Sequence, residues 1–480
     1  MNYSIIRYIL CRVLAFEGTF LLVPAFVALC YGEADGFIYL GLAIVCFAIG
    51  GVGRKTKPKK TNFFAKEGFV SVSLSWIILS LVGALPFFFT GAIPNYLDAL
   101  FESVSGFSTT GATVLTDVEV LSRCNLFWRS FTHWMGGMGV LVLMAAILPL
   151  AGSHNIHLMK AESAGPSVGK LVPKVGQTAR ILYGIYTGMT VFLILLLLLS
   201  GMHIFDAVAI GVGTAGTGGF GLLNSSAASY SVASQIIMTI FMLLFGINFN
   251  VYFKFFAGKT KEALFHEEMR YFLIIVLAAI GLITWNTWGY FDDFVTTIQQ
   301  VSFQVASIIT TAGYSTTDYG LWPSFSQGIL FVLMLIGACA GSTSGGIKVS
   351  RIIIMLKMIK NEVSYLIHPE RVRQIRMERH ILPKEVWRGV QVFLLAYLAI
   401  YLLSFLIISL DGFDFTTNFS AVAACLNNVG PGLGKVGPSG NFSIYGSLSK
   451  CVLIFDMLAG RLEIFPILVL LAPYTWKKGR

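Results

Sequence analysis

Long apolar runs broken by short polar stretches set the rhythm of this 480-residue chain. Runs close to the ~20 residues a helix needs to cross a hydrocarbon core lie at Val13 to Tyr31, Phe37 to Gly53, Phe69 to Phe89, Phe127 to Pro149, Ile181 to Ser200, Ser234 to Phe256, Tyr271 to Trp288, Ile329 to Ile359 with an interruption, Val390 to Leu410 and Cys451 to Leu471. They are continuous rather than alternating, so about ten spanning helices are expected and not a barrel. Between them sit shorter semi-apolar stretches, Leu97 to Phe107, Phe205 to Gly213, Phe294 to Ile308 and Phe415 to Leu426, each entered near Asp98, Asp206, Asp293 or Asn418. These are too short to cross, so they should dip into the membrane and return.

Each short stretch leads into a loop of small residues: GFSTTGATVL (Gly106 to Leu115), TAGTGGFGLL (Thr214 to Leu223), IITTAGYSTT (Ile308 to Thr317) and CLNNVGPGLG (Cys425 to Gly434). With Gly111, Gly218, Gly313 and Gly430 taken as equivalent, the spacings are 107, 95 and 117 residues, the mark of an internal repeat. One such loop is ordinary in a polytopic protein; four at regular spacing are not. A re-entrant helix points its carbonyl end, with roughly half a negative charge, at the membrane midplane, where it favours a cation. Small residues with a glycine at φ > 0 let successive carbonyls turn toward an axis and replace a cation's water.

Composition supports a membrane protein, with 56% hydrophobic and only 12% charged residues against roughly 25% charged in soluble domains. The net charge of +10 could suggest nucleic acid, but its placement does not. Basic residues fall in alternate loops: Arg54, Lys55, Lys57, Lys59, Lys60 and Lys66; Lys160, Lys170 and Lys174; Lys254, Lys259, Lys261 and Arg270; Lys348 through Arg388; Lys477, Lys478 and Arg480. The loops between hold Arg123, Lys435 and Lys450 against Asp98, Glu102, Asp206, Asp292, Asp293, Asp318, Asp411 and Asp414. By the positive-inside rule both termini are expected in the cytoplasm. The first apolar run contains Glu17 and lacks a clear cleavage site, so it reads as a retained span. The seven cysteines form no CxxC pair, so neither a disulfide framework nor a zinc site is indicated.

STTGAT (Ser108 to Thr113), TGGFG (Thr217 to Gly221), TTAGY (Thr310 to Tyr314), NNVGPGLG (Asn427 to Gly434), GACAGSTSGGIK (Gly337 to Lys348) and the span with Asp456, Arg461 and Glu463 make the chain resemble the Trk/Ktr/HKT superfamily of potassium transporters, within it the Trk type. The resemblance implies an all-α integral membrane protein in which four helix, pore-helix, helix repeats surround one pore with pseudo-fourfold symmetry, preceded by two extra transmembrane helices. Residues 1–60 would form the N-terminal pair, and 61–178, 179–262, 263–382 and 383–480 the four repeats. Carried over residue by residue, the potassium filter would be Thr109, Thr110 and Gly111; Gly216, Thr217 and Gly218; Thr311, Ala312 and Gly313; and Asn428, Val429 and Gly430. Within the superfamily serine at the filter glycine goes with sodium permeation, so four glycines imply potassium. The residue after each glycine varies (Ala112, Gly219, Tyr314, Pro431), which implies looser discrimination than in a potassium channel.

The eighth run breaks at Gly337 to Gly346, too polar and glycine-rich for helix against lipid. A kink packed through small residues is one reading; the resemblance implies an intramembrane gate loop with Gly341, Ser342, Thr343, Ser344, Gly345, Gly346 and Lys348, and Arg461 donating to its carbonyls. A charge in mid-span is costly and usually functional, although Arg461 could simply pair with Asp456 or Glu463. The resemblance further implies a bacterial inner-membrane location, a homodimer, and a cytosolic ring of nucleotide-binding regulatory subunits. The stretch Ile347 to Arg388 is too short for a nucleotide domain, so no nucleotide site is expected in this chain.

GVGTAG (Gly211 to Gly216) follows no strand, AGKT (Ala257 to Thr260) lacks the upstream glycine of a P-loop, His266 and Glu267 do not extend to HExxH, and His133 reads as a packed polar residue near the outer surface. One rival is a proton- or sodium-coupled transporter of another substrate, with Glu17, Asp456 and Glu463 as its intramembrane acids and two-fold inverted repeats. An integral-membrane enzyme would need a clustered Asp, His or Ser/Lys constellation that the sequence does not present.

Overall fold

Where the chain cannot hydrogen-bond to lipid it has coiled, and where it has stopped coiling other backbone completes it. The computed structural model describes residues 1–55, 65–147, 175–369, 374–378 and 380–477. Of the basic residues that set the expected topology, Lys57, Lys59, Lys60, Lys160, Lys170, Lys174, Arg371, Arg373, Arg379, Lys478 and Arg480 lie outside the described residues.

Helices α1 (Tyr3–Tyr31) and α2 (Gly36–Lys55) form an antiparallel pair. Packing is close: a Cβ on Gly36 would lie 2.7 Å from Ala28 Cβ, and one on Gly50 2.4 Å from Ala15 Cβ. In lipid such tight contact supplies the association that the hydrophobic effect cannot. The pair is also bonded to the rest of the chain, since the Glu33 carboxylate accepts the Arg123 and Cys124 N–H groups at 2.7 and 2.9 Å and so caps the helix that opens at Arg123.

Then come α3 (Ala65–Phe89), α4 (Tyr96–Phe107), α5 (Arg123–Ile147), α6 (Val175–Leu199), α7 (Ile204–Gly216), α8 (Val232–Gly246), α9 (Phe249–Phe256), α10 (Thr260–Leu264), α11 (Glu267–Asn286), α12 (Phe294–Ile309), α13 (Ser324–Ile336) and α14 (Val349–Ile367). A small antiparallel hairpin, β1 (Arg376–Met377) and β2 (His380–Ile381), precedes α15 (Lys384–Ile408), α16 (Phe415–Leu426), α17 (Ser447–Arg461), α18 (Phe465–Leu471) and α19 (Pro473–Trp476).

Among the described residues six helices are long and apolar enough to cross a membrane, where ten spans were expected. The other four differ for identifiable reasons. Helix α5 carries Arg123, Arg129 and His133, and its expected end at Pro149 lies outside the described residues. The expected span Ser234 to Phe256 bends by 88° between α8 and α9. The runs Ile329 to Ile359 and Cys451 to Leu471 each break into two helices.

Helices α4, α7, α12 and α16 have 12, 13, 16 and 12 residues, which at ~1.5 Å per residue is well short of a ~30 Å core. Asn95, Asp293 and Asp414 cap three of them; Asp98 and Asp206 sit in first turns instead. Asn418, expected at the entry of α16, is buried inside it and accepts from Tyr445 Oη at 2.9 Å. Helix α5 packs on α7, α8 on α12, α13 on α16, and α17 back on α4, closing the circuit.

Candidate functional site

All four short helices end alike. Thr110, Gly218, Ala312 and Val429 donate their N–H to the carbonyl five residues back, at 3.1 Å or less, and the residues before them donate three back. This Schellman ending requires a left-handed residue, supplied by Thr109, Thr217, Thr311 and Asn428 with φ of 56°, 54°, 57° and 54°. Two residues on, Gly111, Gly219, Gly313 and Gly430 are left-handed again. By backbone conformation the second loop therefore shifts by one from the expected triplet. Thr217, Gly218 and Gly219 correspond to Thr109, Thr110 and Gly111, and Gly216 belongs to the helix end.

These glycines meet one another's loops. A Cβ on Gly111 would lie 2.1 Å from Gly218 O, one on Gly219 1.9 Å from Ala312 O, one on Gly313 2.3 Å from Val429 O, and one on Gly430 2.7 Å from Thr110 O. Each glycine touches the carbonyl before the next glycine, and the fourth returns to the first. Neutral oxygens so packed suit a hard monovalent cation, and no group of three His, Cys, Asp or Glu that could hold a metal ion occurs among the described residues.

Side chains behind the ring brace it. Buried Glu102 accepts from Thr113 Oγ1 at 3.0 Å and Val114 N at 3.1 Å, and is paired at 2.8 Å with Arg129, which donates to Gly221 O at 3.2 Å. Sequence reasoning counted Glu102 among the outer-loop charges and passed over Arg129, although an ionisable residue inside an apolar run is the usual flag of a functional position. His133 is packed, as expected: it is buried, its Nδ1 2.9 Å from Gly106 O and its Nε2 accepting from Phe220 N at 3.3 Å. That pattern places the proton on Nδ1. Tyr319 Oη donates to Gly432 O at 3.1 Å.

Between α13 and α14 the chain leaves the helix at Gly337 (φ 69°) and returns after Lys348 (φ 85°). The loop meets the ends of the short helices directly. Gly345 N donates to Thr311 Oγ1 at 2.7 Å, Thr217 and Thr343 hydroxyls lie 3.3 Å apart, and a Cβ on Gly345 would be 2.2 Å from Asn427 O. It also completes the α8/α9 break, with Cys339 N donating to Gly246 O at 3.1 Å and Phe249 N to Gly341 O at 3.0 Å. Irregular backbone at depth is tolerable when satisfied in this way.

Two buried cations hold adjacent loop carbonyls. Arg461 Nη1 donates to Thr343 O and Nη2 to Gly136 O, both at 2.7 Å, while Lys348 Nζ donates to Ser344 O. Ser342 bridges the Cys339 carbonyl and the Ser344 hydroxyl. The acids considered as partners of Arg461 bond elsewhere, Asp456 to Ser404 Oγ at 2.7 Å and Glu463 to Arg351 at 2.5 Å. The GVGTAG stretch lies within the buried end of α7.

Three comparisons with known proteins find similar chains. A sequence model of the TrkH family, described as cation transport protein, matches residues 38–478. The Trk system potassium uptake protein TrkH of Salmonella typhimurium is 38% identical over 99% of each chain, and the Trk system potassium uptake protein TrkG of Escherichia coli K12 is 34% identical over 99% of this chain and 100% of its own. The crystal structure of the potassium transporter TrkH from Vibrio parahaemolyticus superimposes with a TM-score of 0.90 at 34% identity, covering 99% of this chain and 100% of that one.

Proposed function

This chain belongs to the TrkH family of cation transport proteins, and from that premise we propose that it carries potassium into the cell through a pore whose narrow ring is built by the four loops. The observation that carries the reading is the cyclic contact of Gly111, Gly219, Gly313 and Gly430 with the carbonyls of Gly218, Ala312, Val429 and Thr110. It favours four helix, pore-helix, helix repeats in pseudo-fourfold order around one axis, with α1 and α2 as an added pair. The filter set is then Thr109 to Gly111, Thr217 to Gly219, Thr311 to Gly313 and Asn428 to Gly430.

The loop from Gly337 to Lys348 is the gate on this reading. Arg461 and Lys348 occupy the Thr343 and Ser344 carbonyls, so their positive charge both fastens the loop and opposes a cation leaving the filter. Coupling of uptake to protons or sodium is a second reading. Asp456 favours it, being fully buried with Oδ2 lacking a hydrogen-bond partner among the described residues.

The alternate basic loops favour a cytoplasmic position for both termini, and membership of the family favours a bacterial inner membrane. The basic face is where a nucleotide-binding ring would dock, and the membrane subunit would act as a homodimer. Rubidium uptake into vesicles containing the purified protein tests the reading. Uptake should be competed by potassium far better than by lithium; equal competition by all alkali cations, or no uptake above empty vesicles, would remove the filter from the account. A dependence of uptake on an imposed proton or sodium gradient would favour coupling.

A further inference from the structure

We infer that Glu268 is the residue that positions the intramembrane loop and that it ties the loop to the hairpin β1–β2. The inference rests on reading residues 337–348 as the gate, but its geometry stands by itself. Glu268 is in the first turn of α11 and fully buried. Its Oε1 accepts from Ala340 N at 2.6 Å and from Ser350 N at 3.1 Å, and its Oε2 accepts from Asn248 Nδ2 at 3.4 Å. Ala340 lies where the loop begins and Ser350 in the first turn of α14, so one oxygen closes both ends of the loop. Asn248 caps α9 at the 88° break, so the same carboxylate also holds the bend that the loop completes. A carboxylate suits the task, because the N–H groups opening α14 lack intrahelical partners and carry the positive end of its dipole.

The neighbouring residue extends the link. Glu267 N donates to Glu378 Oε1 at 2.6 Å, Glu378 N donates back to Glu267 Oε2 at 3.0 Å, and Glu267 Oε1 is paired with Lys357 of α14. Lys357 Nζ also donates to Arg376 O of β1 at 2.8 Å. Glu378 forms the turn of the hairpin with φ 53°. The hairpin therefore grips Glu267 together with its neighbour His266 and with Lys357 of α14, and the residue after Glu267 holds the loop. A displacement of the hairpin reaches Ala340 and Ser350 through the Glu267–Glu268 peptide unit, and reaches α14 also through Lys357.

Hydrogen exchange on the full-length protein in lipid discs, read by mass spectrometry over the peptide covering residues 337–350, tests this together with rubidium flux. In Glu268→Ala exchange of the loop peptide should rise by about tenfold or more, the scale of losing a charge-assisted bond, while peptides of α4, α7, α12 and α16 keep their rates and report that the protein is folded. Glu268→Gln retains an oxygen for both N–H groups and should stay within about threefold of wild type, since a hydrogen-bonded amide replaces most of the lost acceptor. Glu378→Ala should also quicken the loop. Unchanged loop exchange in Glu268→Ala, or Gln as fast as Ala, overturns the positioning role, and a wild-type loop in Glu378→Ala overturns the tie to the hairpin. If Arg461→Ala leaves flux unchanged while Glu268→Ala frees the loop, the gating reading fails and the positioning role survives.

Discussion

Removing Arg461 should increase flux, and the structure sets the scale. Its guanidinium makes two bonds of 2.7 Å, one to Thr343 O in the loop and one to Gly136 O in α5. Only the first must break for the loop to move, because α5 belongs to the wall. A hydrogen bond from a charged donor contributes about 1.5–3 kcal/mol, and each ~1.4 kcal/mol shifts an equilibrium tenfold. Arg461→Ala should therefore favour the open loop by roughly 10–100-fold, with a further gain from removing a buried positive charge from the exit path. Initial rubidium uptake into vesicles at matched protein density reads this directly. Arg461→Lys, which retains the charge and can reach at most part of the bonding, should fall between alanine and wild type. Wild-type uptake in Arg461→Ala, with an unchanged thermal midpoint, would refute the assignment of Thr343 O as the fastened point.

Gly219→Ala should abolish uptake while the protein still folds: its methyl would lie 1.9 Å from Ala312 O, at a φ of 79°, adding a left-handed cost of about 1–2 kcal/mol. Gly218→Ala instead meets the His133 ring, so His133→Ala should partly rescue uptake there and not at position 219; the opposite pattern would restore the Gly218 register. Arg129→Ala should lower stability by about 3–5 kcal/mol by stranding buried Glu102, more than the double change Glu102→Gln with Arg129→Met, as read by thermal unfolding in detergent. Exposed Asp414 caps α16, and its hydrogen bonds with Thr417 hold its carboxyl below the usual carboxylate range. That stabilisation is present above the ordinary carboxylate pKa of ~3.9 and is lost as pH falls through the lowered value. Asp414→Ala should cost about 1 kcal/mol at neutral pH and flatten the acid limb of a melting-temperature profile.

The apolar runs marked the helices because continuous hydrophobicity records what lipid demands locally, and the short entries at Phe294 and Phe415 marked where two of the short helices begin. The register of the second loop was not readable: TGGFG offers adjacent glycines, and only the backbone turn at Gly219 chooses between them. Glu267 stands out only as half of an incomplete HExxH pattern and Glu268 not at all, and nothing in their neighbourhood announces Ala340 or Ser350 as partners.

Composition and spacing, being properties of one dimension, are enough to establish a membrane chain with a fourfold pattern of small-residue loops. Tertiary structure alone decided which carbonyls face which glycines and which charges hold the loop. Arg461 meets Gly136 across 325 residues, and Asn428 meets Thr110 across 318. Hydrophobic periodicity specifies that a face is buried; it carries no information about the partner, because in lipid that choice is made by close packing and by the need of each unpaired backbone group for a bond.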